Sequence, residues 1–190
     1  MANCASGSSS IQCWITAQAD ILTNIASTLI PVEHLITGAA YLMGLAFAMK
    51  ALFCLKQHGE NRAAAQQSSF KEPLMYFLVA AVFIYFPTGF SVLMKTTFGY
   101  SNVLAYTAIN TKNQTLNALF NSGAASEALT RIIQVIGLIA FIRGWVLLSR
   151  SSGQGQQQGG TSKALMHIVG GILAMNIIGT LEVLNNTLYG

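Results

Sequence analysis

The chain has 190 residues, 53% of them hydrophobic and 8% charged, against roughly 25% charged in an ordinary soluble domain. Ten basic residues give a formal net charge of +4, but they are spread along the whole length and form no stripe of the kind nucleic acid requires. Composition therefore points to a membrane protein and argues against a nucleic-acid binder.

The opening stretch "MANCASGSSS" lacks the basic and apolar segments of a cleavable signal peptide. Cys4 lacks the leucine-led box that precedes a lipidated cysteine, so the mature chain is expected to begin at or near Met1. Residues 11–30 then place Ile11, Trp14, Ile15, Leu22, Ile25 and Leu29 on one helical face, with Gln12, Thr16, Asp20, Asn24 and Ser27 mostly elsewhere. This pattern fits an amphipathic helix lying in the outer membrane interface, or one packed on a partner protein. Pro31 is expected to end that helix or turn it into the first span.

A helix crosses the hydrocarbon core with about 20 mostly apolar residues. Four stretches meet that requirement, roughly Leu35–Leu55, Leu74–Met94, Ile132–Ser149 and Ala164–Leu184. The predicted fold is an all-α membrane protein of four transmembrane helices in two hairpins. It divides into an outer-side N-terminal helix (1–31), a first hairpin (32–94), a connecting segment with short surface helices (95–131) and a second hairpin (132–190). Within the second span, Pro87 predicts a kink, with a role in shape or as a hinge.

Lys50, Lys56, Arg62 and Lys71 flank the first connection, and Arg143, Arg150 and Lys163 the third; the middle segment has only Lys95, Lys112 and Arg131. That bias predicts that connections one and three are cytoplasmic and that both termini and the middle segment lie outside. Cys4 and Cys13 would then share an oxidising compartment, either bonded or merely adjacent. Cys54 would sit at the reducing face as a packed thiol. "SSGQGQQQGGTSK" after the third span reads as a flexible cytoplasmic linker.

The chain also aligns on itself. An offset of 93 lays "GLAFAMKALFCL" from Gly44 over "GLIAFIRGWVLL" from Gly137, with Lys50 on Arg143. An offset of 91 then lays "LMYFLVAAVF" over "LMHIVGGILA" and "VLMKTTFG" over "VLNNTLYG". A duplicated hairpin is the expectation, with its copies related by an axis near the membrane normal.

Lys50 lies five residues before Leu55, about 7.5 Å inside the cytoplasmic boundary at 1.5 Å per residue. Lys50 and Arg143 can snorkel to the headgroups, or they can face a lumen, a lipid phosphate or a partner carboxylate. With Glu33 and Glu182 near the outer ends, their partner is expected outside the chain. Small residues recur at Ala40, Gly44 and Ala48 and at Gly170 and Ala174, with Gly137 in register with Gly44; such ridges let helices approach closely in lipid. Asn176 is expected to bond across helices. No metal-ligand spacing, paired carboxylates, phosphate loop or nucleophile elbow is present, so neither enzyme nor cofactor is expected.

The stretch "AYLMGLAFAMKALFCLKQHGENR" from Ala40, with its short polar linker and second span, resembles the IcmC/DotE family of inner-membrane proteins of the type IVB (Dot/Icm) secretion apparatus, whose relatives include IcmD/DotP and the TraQ and TraR proteins of conjugative plasmids. The resemblance covers length, hairpin order and lack of a large soluble domain, and its most specific part is Gly44 to His58. It implies a non-enzymatic subunit of an effector-exporting channel in a bacterial inner membrane, part of a large symmetric assembly with other Dot/Icm proteins such as IcmD/DotP and with membrane lipids. The competing expectation is a self-sufficient channel, small transporter or holin-like pore, which would rely on Asn176 and His167.

Overall fold

A computed structural model describes residues 10–63, 70–99, 120, 124–151 and 160–189, and the regular elements among them are all α-helices. They are α1 (Ser10–Ala63), α2 (Lys71–Ile84), α3 (Phe86–Phe98), α4 (Ala124–Ser151), α5 (Gly160–Met175) and α6 (Ile177–Tyr189). The short helices expected in the middle segment fall largely on residues 100–119, outside the described residues.

The helices pack as two hairpins, α1 with α2 and α4 with α5, and α4 also lies against α1 and α2. Small residues decide both contacts. Ala40 and Ala51 are fully buried on α1, Gly44 is buried between them, and Ala48 is half-buried. A Cβ on Gly44 would come within 3.0 Å of the Ile84 backbone nitrogen and of the Phe83 Cβ. In the second hairpin the approach is closer, because a Cβ on Gly137 would meet the Met175 nitrogen at 2.7 Å and the Ala174 Cβ at 2.9 Å. Between the hairpins, Val79, Phe83, Phe86, Leu138, Phe141 and Ile142 form the core. Phe86 meets Phe141 with ring centroids 5.8 Å apart.

The surface is apolar. Leu42, Met49, Phe53, Leu74, Ile136, Met166 and Leu188 are all exposed, as side chains facing lipid would be. α1 and α4 each contain a segment long and apolar enough to cross a membrane, Thr23–Glu60 and Ser126–Ser151, and the bent pair α5/α6 makes a third if it counts as one span.

Four boundaries differ from the sequence reading. Pro31 neither ends α1 nor divides a separate N-terminal helix from the span: the helix runs unbroken for 54 residues. Pro31 leaves the Ser27 carbonyl without its helical donor, a defect that membrane helices accommodate; one turn before it, Thr28 Oγ1 donates to the Asn24 and Ile25 carbonyls at 2.8 Å. Of the residues that the amphipathic pattern placed together, Ile25 is 44% exposed and Leu29 half-buried.

The expected second span is divided at Tyr85, where φ is −92° and ψ 16°. Pro87 stands at the start of α3, where it cannot donate the bond that would join the two helices.

The third span begins earlier than expected. α4 starts at Ala124, inside the expected connecting segment; there Glu127 and Arg131 pair one turn apart at 3.1 Å and Thr130 bonds the Ser126 carbonyl.

The fourth stretch is not one straight helix. α5 and α6 meet at 91° around Asn176. The cause is local: the Gly179 N–H donates to Asn176 Oδ1 at 3.3 Å, and Thr180 Oγ1 reaches back to the Leu173 carbonyl at 2.9 Å. Asn176 therefore caps the start of α6, and Thr180 satisfies a carbonyl that the break leaves open.

The two breaks, Tyr85 and Asn176, are 91 positions apart, the same offset at which the sequence aligns on itself, and the helices after them both have 13 residues.

Candidate functional site

The two embedded cations lie on the outward sides of their hairpins. Both Lys50 and Arg143 are exposed, one on α1 and one on α4.

Lys50 has a partner within the chain. Its ammonium sits 4.4 Å from the centre of the Tyr76 ring on α2, a cation–π geometry worth about 0.5–1 kcal/mol at an exposed site. Glu72, one turn earlier on α2, is within electrostatic reach of Lys50. The sequence placed that partner in a lipid, water or another subunit and gave Tyr76 no role. Tyr76 is held in place by packing, being 4% exposed and stacked on Phe47 with centroids 6.1 Å apart.

Arg143 differs. The ion pairs among the described residues are Lys56–Glu60 at 3.8 Å and Glu127–Arg131 at 3.1 Å, and neither involves it. Gly144, its neighbour, is pressed onto α5: a Cβ there would lie 2.8 Å from the Ile168 nitrogen and 3.0 Å from the Ala164 carbonyl. Arg143 is thus level with the turn that carries Lys163 and His167. His167 Nδ1 is 2.8 Å from the Lys163 carbonyl, and since a carbonyl only accepts, Nδ1 carries the proton of that bond.

At the connection end, residues before and after each connection meet. His58 stands edge-on to Phe70 with centroids 5.5 Å apart, and Thr161 Oγ1 donates to Ser151 Oγ at 3.4 Å. Cys54 is a free, half-buried thiol. Cys4 lies outside the described residues, and of Cys13 the structure describes only its place in α1, so the disulfide expectation falls there too.

Of the packing residues read from sequence, Ala40, Gly44, Gly137 and Ala174 stand at helix contacts. Gly170 faces outward, with nothing within 4 Å of a Cβ position. Its neighbour Gly171 takes the contact instead, where a Cβ would be 2.7 Å from the Phe141 nitrogen and 2.8 Å from the Gly137 carbonyl. Gly144 and Gly171 were missed. Their signal is a seven-residue spacing, Gly137 to Gly144 on α4 and Ala164 to Gly171 on α5.

An apolar cleft of about 270 Å³ opens at the α2–α3 break, between Tyr85, Phe86 and Leu93 on one side and Phe141 and Trp145 on the other. No group of three or more His, Cys, Asp or Glu side chains among the described residues could hold a metal. The arrangement leaves Arg143, Arg150 and Lys163 exposed, and it packs helices closely. Searches of protein-family models, curated proteins and solved structures gave no match.

Proposed function

We propose that the chain is a non-enzymatic structural subunit of the inner-membrane part of a type IVB protein secretion channel, built as a duplicated helical hairpin with both termini outside. In this reading α1 and α4 are the full crossings, and α2 and α5 are the shorter return arms. The observation that carries it is the pairing of the two halves. Each has a long helix, a short return helix, a break 91 positions apart and a 13-residue helix, and Gly44 and Gly137 touch corresponding residues on their partners. Such a chain invests its length in helix packing and apolar surface, as a wall component does. The secretion assignment adds the likeness of Gly44 to His58 to the IcmC/DotE family, and with it partners such as IcmD/DotP.

The test is copurification from cells making the whole apparatus. A large symmetric complex with other inner-membrane subunits is expected; a lone monomer in mild detergent would overturn the assignment. Replacing Lys50 and Arg143 together with Leu is expected to impair secretion while leaving insertion intact, and normal secretion would reduce both residues to snorkelling.

A second reading, a small self-sufficient transporter or pore, draws on Asn176, which is 9% exposed at a broken helix, a feature that transporters use for binding sites. Solute flux in liposomes holding this chain alone would favour it.

A further inference from the structure

The two hairpins are built alike but balance their charge differently. In the first, Lys50 sits over Tyr76 and is within reach of Glu72, while Lys56 pairs with Glu60. At the offset of 91, Tyr76 corresponds to His167 and Glu72 to Lys163. The ring that receives the cation has become an imidazole, and the acid has become a base. Nor can another acid substitute, because the sequence has no Asp or Glu between Glu127 and Glu182.

These cationic groups fall on one side of the second hairpin. Gly144 fixes Arg143 at the level of Lys163–Ile168. Arg150 lies two turns from Arg143 on the same face, and Arg143, Arg150 and Lys163 are all exposed. Lys163 and His167, one turn apart, are tied by the bond from His167 Nδ1 to the Lys163 carbonyl, which leaves Nε2 as the ring's outward polar atom. The corresponding pair, Lys50 and Tyr76, shows that these two positions meet across a hairpin of this design.

We propose that the connection end of the second hairpin binds a phosphate group, with Arg143 and Lys163 supplying charge and His167 a directed hydrogen bond. In a membrane the natural source is the headgroup of an anionic phospholipid, since basic pockets between helices at the cytoplasmic side recognise such headgroups. The proposal rests on the membrane and duplicated-hairpin reading above, not on the secretion assignment. Lys50, already partnered within its own hairpin, does not take part. The corresponding cations of the two hairpins have thus diverged, one inward-satisfied and one ligand-binding.

The test uses the full chain purified in mild detergent, with bound lipid counted by native mass spectrometry. Phosphatidylglycerol is expected to bind in preference to phosphatidylcholine. Arg143→Gln with Lys163→Gln is expected to weaken that binding roughly thirtyfold, the effect of two juxtamembrane charges. Arg143→Lys and Lys50→Gln are expected to leave it within about twofold, since each keeps or lies outside the site's charge. Equal binding of the two lipids, retention in the double variant, or an equal loss with Lys50→Gln would each overturn the site. Inorganic phosphate added as competitor separates the sources: displacement assigns the site to a soluble phosphate, and no displacement assigns it to lipid. Unchanged helical circular dichroism and elution volume show that the exposed variants still fold. Alkaline extraction of membranes checks insertion, so a chain that is not embedded is told apart from an embedded one lacking the site.

Discussion

At Gly171 a single hydrogen atom in place of a methyl group sets the distance between two helices. A Cβ there would press on the backbone of Phe141 and Gly137, at 2.7 and 2.8 Å, and backbone cannot move aside as a flexible side chain can. Gly171→Ala is therefore expected to destabilise by about 1–3 kcal/mol, as overpacking does. Gly170→Ala, one position away and in open space, is expected to be neutral or to stabilise by up to about 1 kcal/mol through helix propensity. Thermal unfolding of the two variants in one detergent compares them directly. Lys50 gives a second residue-scale expectation. If its ammonium interacts with the Tyr76 ring as the 4.4 Å geometry indicates, a double-mutant cycle of Lys50→Met and Tyr76→Leu should give a coupling of about 0.5–1 kcal/mol. A coupling indistinguishable from zero would mean that the lysine is held by solvent or headgroups instead.

Among the elements, the bend at Asn176 sets the shape of the second hairpin. Two side chains hold it, because Asn176 Oδ1 accepts from Gly179, Thr180 Oγ1 bonds the Leu173 carbonyl, and no proline stands at the break. Asn176→Leu removes the cap and favours one continuous helix. Spin labels at Leu165 and Leu188 should then move from about 24 Å apart, for two arms at a right angle, to about 35 Å at 1.5 Å per residue; an unchanged distance would show that α6 is held by its packing on Leu129 and Ile133. The contrast with Tyr85 bears on what a sequence displays. There a proline stands two residues after the break, and the kink was legible as proline chemistry. At Asn176 the same break comes from a cap completed by Gly179 and Thr180, and a polar residue inside an apolar run looks like a contact across helices until the turn is seen. The all-helical character and the long apolar helices were legible because apolar length is a one-dimensional signal. The choice of Gly171 over Gly170 was not, since it depends on whether the packing period is four residues or seven, and both glycines are present. The Lys50–Tyr76 contact was hidden for a similar reason: an aromatic face carries no formal charge, and only the packing of α2 on α1 brings Tyr76 beside the ammonium.

For the whole molecule, the lengths of the helices and the distribution of charge together define how it can sit in a bilayer. α1 would extend about 81 Å and α4 about 42 Å, both beyond the roughly 30 Å of hydrocarbon. The return arms α2 and α5, at about 21 and 24 Å, are shorter than that core. A return arm that crosses must therefore thin the bilayer locally or draw its polar ends inward, at a cost of fractions of a kcal/mol per Å. The packing makes this tolerable, because each short arm is fastened to a long helix through glycine contacts rather than left to find its own depth. In the topology proposed above, the breaks at Tyr85 and Asn176 come where each arm nears the outer boundary, and α3 and α6 run along it. This arrangement predicts a specific labelling pattern. In a chain whose native cysteines are replaced by serine, a cysteine placed at Asn110 should react with an impermeant maleimide from the outer side, and one at Gln156 only after permeabilisation. A cysteine at Asn186 on α6 should behave like the one at Asn110 if α5 crosses. If instead it is protected like the one at Gln156, then α5 and α6 form a re-entrant pair that enters and leaves from one face, and the chain crosses the membrane an odd number of times.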